Sequence, residues 1–164
     1  MSPDEADFRQ MYEHAFPTVY RVAYRFCGRR EAAEDATQEA FARAFERWSR
    51  LRGQPWIVGW VLTTALNVLR RAARRTREVT REVDAEPSGE PDVDEALDLW
   101  RAIAGLPRRQ AEAVVLYYLL DLPVGEVAEV MGCREGTAKT HLDRARQRLV
   151  RVLEPSETRA EEDR

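Results

Sequence analysis

Midway along the chain the charge reverses within a few residues, and that reversal divides what the sequence can fold into. Residues 70–81 carry six arginines against Glu78 alone. Residues 82–95 carry seven carboxylates and no base, together with Pro87, Ser88, Gly89 and Pro91. So acidic a stretch, broken by Pro and Gly and poor in large apolar residues, buries too little surface to offset the entropy of ordering it. It is expected to be a flexible acidic linker over 79–94, leaving two modules, 1–78 and 95–153, and a polar tail, 154–164.

Both modules are written at helical spacing. In the first, Met11, Tyr12, Ala15, Val19, Val22, Ala23 and Phe26 recur at three- and four-residue steps, which predicts a helix closed by Gly28. Pro17 falls inside it and predicts a kink or a fresh helical start. A second helix is expected over 31–48, with Ala33, Ala36, Ala40, Phe41, Ala44, Phe45 and Trp48 inward and Glu34, Asp35, Gln38 and Glu39 outward. Leu51, Arg52, Gly53, Gln54 and Pro55 make a loop, with Pro55 placed to open a third helix through Trp56, Trp60, Leu62, Leu66 and Leu69 into the basic end. The second module predicts helices over 96–104, 107–119, 124–131 and 135–153, with a turn at Gly132, Cys133 and Arg134. No segment alternates with the period of a half-buried strand, so the fold class is all-α, two small helical domains.

The residue inventory argues against catalysis. No nucleophile stands with a base, no glycine loop could cradle a phosphate, and Glu34, Asp35 and Glu39 form a solvated surface rather than an acid–base pair. His14 could face the first core and His141 lies on the last helix. Cys27 and Cys133 fall in different modules at no metal-binding spacing and are expected to be free, half-buried thiols. No metal and no cofactor are expected. No apolar run approaches the roughly 18 residues of a membrane span, and residues 1–7 carry acids where a signal peptide carries bases, so the cytoplasm is the expected compartment.

The net charge of −3 would disfavour nucleic acid as a partner, but its distribution matters more than its sum. Residues 122–149 combine a short helix, a glycine turn and a second, basic helix, the compact unit that places its second helix in the major groove. Val124, Val127, Ala128, Met131, Ala138, Leu142, Ala145 and Leu149 supply its core. Arginines there would neutralise phosphates, while sequence choice comes from side chains near the helix start. The groove-facing candidates are Arg134, Glu135, Thr137, Lys139, Thr140, Arg144 and Arg148.

The run LPRRQAEAVVLYYLLDLPVGEVAEVMGCREGTAKTHLDRARQRL, residues 106–149, resembles the fourth region of bacterial sigma factors of the extracytoplasmic-function (ECF) type. The run AEDATQEAFARAF, residues 33–45, resembles the second region of the same family. The likeness spans about residues 8–153, with both regions in the expected order. It implies a sigma factor that binds core RNA polymerase and directs it to promoters, without being an enzyme. The fourth region would recognise the minus-35 element and dock on the flap tip of the beta subunit. Asp35, Gln38 and Glu39 would meet the beta-prime clamp helices, with Phe41 and Phe45 in the core.

Trp60, Ala65 and Asn67, followed by Arg74 and Arg75, fit the family's helix that reads and opens the minus-10 element. The resemblance therefore assigns promoter DNA contacts there to Arg50, Arg52, Gln54, Trp56, Trp60, Asn67, Arg70, Arg71, Arg74 and Arg75. Melting a duplex calls for stacking or pocketing of bases and a basic surface for the displaced strand. Trp56 and Trp60 fit core positions equally well. An anti-sigma factor is a further partner that the resemblance leaves open. Three residues depart from the family pattern: Arg71 replaces a common Asp, Thr64 an aliphatic, and Arg134 a Ser that would cap the recognition helix. A ligand-sensing operator-binding regulator and a non-transcribing interaction protein remain the rival classes.

Overall fold

The computed structural model describes residues 3–80 and 95–154, and every regular element among them is helical. They belong to two compact units. The expected linker lies outside the described residues from 81 to 94, as does the tail from 155.

The first unit holds α1 (Pro3–Cys27), α2 (Arg30–Glu46), the single turn α3 (Trp48–Leu51) and α4 (Ile57–Thr80). The three long helices each pack on the other two. Their shared core is floored with alanines: Ala15, Ala23, Ala33, Ala36, Ala40, Ala44 and Ala65 are buried, and Val19, Phe41, Leu62 and Leu66 fill the space between them. Small residues at the crossings let the backbones approach, and the larger side chains interdigitate around them. Thr37 is fully buried, yet its hydroxyl donates to the Ala33 carbonyl at 2.7 Å, so that hydroxyl is not stranded.

Four expectations for this unit change. α1 runs through Pro17 and no second helix starts there. The ring removes one backbone bond, but Ala15 before it and Val19, Val22 and Ala23 after it bury the same stripe, so one helix continues through it. Phe45 is not core: it is 51% exposed, its ring edge-on to Phe8 at 4.9 Å. Residues 48–51, read partly as loop, form α3 and bury Trp48 and Leu51. Pro55 sits in the turn before α4, which begins two residues later at Ile57.

One pattern in α1 went unread. Phe8, Tyr12, Phe16, Tyr20 and Tyr24 stand four residues apart, with successive ring centroids 5.2–6.4 Å from each other. Each four-residue step advances about 40° around a helix, so the ladder spirals from rings packed on α2 to an exposed Tyr24.

The second unit holds α5 (Glu95–Ala104), α6 (Arg108–Val114), a π-helical turn (Val115–Leu119), α7 (Val124–Met131) and α8 (Glu135–Leu153). A single helix was expected over 107–119; the π turn widens its last part, burying Val115 and Leu116 while Tyr118 and Leu119 face out. Ala113, Leu116, Val127, Ala128, Met131, Ala138 and Leu142 form the core cluster. Its helices meet through alanines, as in the first unit.

Candidate nucleic-acid interface

The turn between α7 and α8 is fixed by its backbone. Gly132 adopts φ 62°, ψ 39°, left-handed values that a side chain disfavours. Its N–H donates to the Glu129 carbonyl at 3.2 Å, and the Cys133 N–H donates to the Ala128 carbonyl at 3.1 Å. That pair of bonds is a Schellman closure, and it satisfies α7's last carbonyls while redirecting the chain into α8. Arg134 precedes α8 in extended conformation and makes no side-chain cap, as its chemistry requires.

A second device braces the turn from α6. Glu112 is buried, with its side chain 5% exposed, and accepts from Arg108 Nε at 3.0 Å and Arg109 Nη1 at 3.1 Å. Arg109 Nη2 in turn donates to the Met131 carbonyl at 2.6 Å, one residue before Gly132. The charge-assisted chain Glu112–Arg109–Met131 thus ties α6 to the end of α7. Sequence reasoning missed it; the signal was the spacing of Arg108, Arg109 and Glu112 at three and four residues within an otherwise buried helix.

α8 faces the core with Ala138, Leu142 and Ala145 and presents every predicted contact outward: Arg134, Glu135, Thr137, Lys139, Thr140, Arg144 and Arg148 are all exposed. They do not form one surface. Thr137, Thr140, Arg144, Arg148 and Arg151 follow one stripe at three- and four-residue steps. Glu135 and Lys139, 3.5 Å apart as an ion pair, lie on the other flank. Arg144, Arg148 and Arg151 also border, with Arg101 of α5, an open groove of about 980 Å3. Arg146, a further base of α8, is already engaged: it donates to the Tyr118 hydroxyl and to Asp143 at 3.0 Å, and stands over the Tyr117 and Tyr118 rings. The Tyr118 bond, first among its causes, raises the Arg146 pKa above the ordinary value. His141 is half-buried, and burial, then Arg109 and Arg144, hold its imidazole below the ordinary value.

In the first unit α4 buries Val61, Leu62, Ala65, Leu66 and Leu69. On the opposite side Trp60, Thr64, Asn67, Arg71 and Arg74 recur at steps of four and three, with Arg75 beside them. Trp60 and Asn67 are half-buried and Arg71, Arg74 and Arg75 exposed, so an aromatic residue, an amide and a run of cations share one outward stripe. Arg47, unpredicted, covers the Trp60 ring at 5.9 Å, and Arg70 stands over Phe26 at 5.3 Å. Trp56 and Gln54 are half-buried and Arg50 exposed. Arg52 is exposed but engaged by Asp4 and Asp7 of α1.

On α2, Glu34, Asp35, Gln38 and Glu39 all face solvent, with Glu39 bridged to Arg43. His14, a possible core residue by sequence, faces solvent too, and Cys27 and Cys133 are free, half-buried thiols. No helix among the described residues is long and apolar enough to cross a membrane.

Known proteins share this arrangement. Residues 11–79 match the family described as Sigma-70 region 2, and residues 96–149 match Sigma-70, region 4. The chain is 38% identical over 61 residues to the ECF RNA polymerase sigma factor SigM of Mycobacterium tuberculosis, in strains Erdman and H37Rv. That match covers 37% of this chain and only 31% of SigM. The sigma factor RpoE from Bartonella quintana, solved in complex with the anti-sigma factor NepR, superposes with a TM-score of 0.66 at 23% identity, over 90% of this chain and 96% of that one, and so shares the fold. With both regions present in order, the chain belongs to the sigma-70 family, of the ECF type.

Proposed function

We propose that this chain is a sigma factor: it binds core RNA polymerase, directs it to promoters for transcription initiation, and leaves the chemistry of RNA synthesis to the polymerase. The observation that carries the proposal is the pairing, within one sigma-70 chain, of a helix-turn-helix whose second helix exposes Thr137, Thr140, Arg144 and Arg148 with a separate helix that exposes Trp60, Asn67, Arg71 and Arg74. The first set suits base edges and phosphates of duplex minus-35 DNA. The second suits an opened minus-10 element, where a base stacks on an indole and cations hold the displaced strand. Arg50, Arg52, Gln54, Trp56, Arg70 and Arg75 extend that surface.

Asp35, Gln38 and Glu39 form the docking face for the polymerase beta-prime clamp helices, and the second unit docks on the beta flap. The domains divide at the acidic linker expected over 79–94, its start moved past Thr80 where α4 ends, the protein works in the cytoplasm, and an anti-sigma factor is a fitting inhibitor, as NepR is found with RpoE. Run-off transcription by purified core polymerase on a promoter library, with and without this protein, is the test. Specific transcripts that require the protein are expected; a DNA footprint formed equally well without polymerase, and no such transcripts, would overturn the proposal.

A further inference from the structure

In the second unit α5 and α8 leave the open groove that Arg101, Arg144, Arg148 and Arg151 border, and Asp98, 3.6 Å from Arg101, is the one carboxylate in its lining. Cations are only part of it. Leu106, Leu149, Val152 and Leu153 share the lining, and Val152 and Leu153, at the end of α8, are 67% and 42% exposed. Gln110 shares it too, 7% exposed, its buried Oε1 without a donor among the described residues. Such a trough suits an occupant that brings carboxylates, some apolar cover and N–H groups, which is the chemistry of an acidic peptide. At Glu154 the backbone takes φ −64° and ψ 128°, the extended values favoured ahead of a proline, so the chain leaves the α8 axis beside the groove. The residues that follow, 155–164, carry Glu157, Glu161, Glu162 and Asp163 against Arg159 and Arg164.

We propose that this acidic segment, 155–164, folds back into the α5–α8 groove and competes with DNA phosphates for Arg144 and Arg148, an inference resting on the DNA role proposed for α8. Reach permits it. Leu153 and Arg144 are nine helical residues apart, about 14 Å, whereas the eight residues from Leu153 to Glu161 can span about 28 Å when extended. Exposed ion pairs contribute little singly, but a segment attached at the groove's edge meets it at an effective concentration on the order of millimolar, so a few weak pairs suffice. Other occupants fit less well. A second copy would set the same four arginines against themselves across a two-fold axis. A small molecule needs enclosure, and this groove is open. A phosphate backbone would satisfy the cations and leave Val152 and Leu153 bare, whereas Pro155 and Ala160 offer them apolar cover.

The test is titration of a labelled mixed-sequence DNA duplex with the full chain at low ionic strength, where phosphate contacts dominate. It compares the parent, a truncation after Glu154, Arg101→Glu in both backgrounds, and Arg144→Ala with Arg148→Ala in both. Arg101 is exposed, and an unchanged melting midpoint and helical content show that its variant keeps the fold. Truncation is expected to tighten DNA binding about threefold or more. Arg101→Glu is the discriminating variant. It makes the chain more negative, which by long-range repulsion alone weakens DNA binding, yet by expelling the segment it is expected to tighten binding in the full chain and not in the truncated one. If truncation tightens binding while Arg101→Glu acts alike in both chains, the segment works through net charge, the groove is not its seat, and the inference fails. If truncation changes nothing while Arg144→Ala with Arg148→Ala weakens binding, the inference fails with the DNA role of α8 intact. If that double variant binds as its parent does in both backgrounds, the DNA role of α8 fails and this inference with it.

Discussion

Single side chains on α8 differ more than their shared charge suggests. Arg144 is exposed on the outward stripe, whereas Arg146 is held by Tyr118 and Asp143. A guanidinium that neutralises a phosphate releases a counterion, so each such contact steepens the salt dependence of binding by about 0.9. Arg144→Ala is expected to lower the slope of log affinity against log salt by about one, and Arg146→Ala to leave it near the parent value while loosening the π turn. Fluorescence titrations with promoter DNA and polymerase across a salt series separate the two. His141 offers a pH readout. Burial, Arg109 and Arg144 depress its folded pKa, against the opposing pull of Glu112, below the ordinary 6.5. As pH falls the unfolded chain therefore takes up this proton first; stability from this site is complete above 6.5 and drains away as pH drops toward the folded value. Denaturant midpoints at about pH 7.5 and about pH 5.5 should differ less in His141→Gln than in the parent, and an unchanged difference would exonerate His141. Outward placement was legible at this scale for all of the α2 acids and α8 contacts, because helical period alone assigns faces. Who pairs with whom was not: Asp4 with Arg52 and Arg109 with Met131 join residues 48 and 22 apart in sequence.

At the scale of elements, glycine and proline marked most boundaries, and the misses came where packing overrode them. Gly132 was readable as a turn because few residues other than glycine accept its φ. The Schellman closure then follows from the same constraint. A Cβ built on Gly132 meets nothing within 4 Å, so Gly132→Ala is a conformational cost without a steric one. It should lower stability by about 1–2 kcal/mol in urea denaturation and keep the helix-turn-helix geometry; a much larger loss would mean that the turn is crowded. Pro17 does not start a fresh helix, since a buried stripe on both sides keeps α1 in one piece. The π turn had no sequence signature: Val115, Leu116, Tyr117, Tyr118 and Leu119 suit a regular helix equally well, and only the need to bury the first pair while turning out Tyr118 and Leu119 distinguishes the two.

For the whole molecule, the two compact units each close a hydrophobic core of their own, and small cores carry modest stability. Calorimetry of the full chain should therefore show two transitions, with Ala40→Leu lowering one and leaving the other in place; a single transition shifted as a whole would mean that the units unfold together. The division into two helical bundles was legible from the charge reversal alone, because polar, broken sequence cannot join a core. The exposure of Phe45 was not, since it has the spacing of a buried residue. The alanines that floor both cores set a limit of another kind. Where helices cross on methyl groups their inner sides leave little slack for a larger residue, so the outer stripe where Thr137, Thr140 and Arg144 stand is where a side chain can change without disturbing a core. A designer could rewrite those exposed positions and inherit the scaffold unchanged.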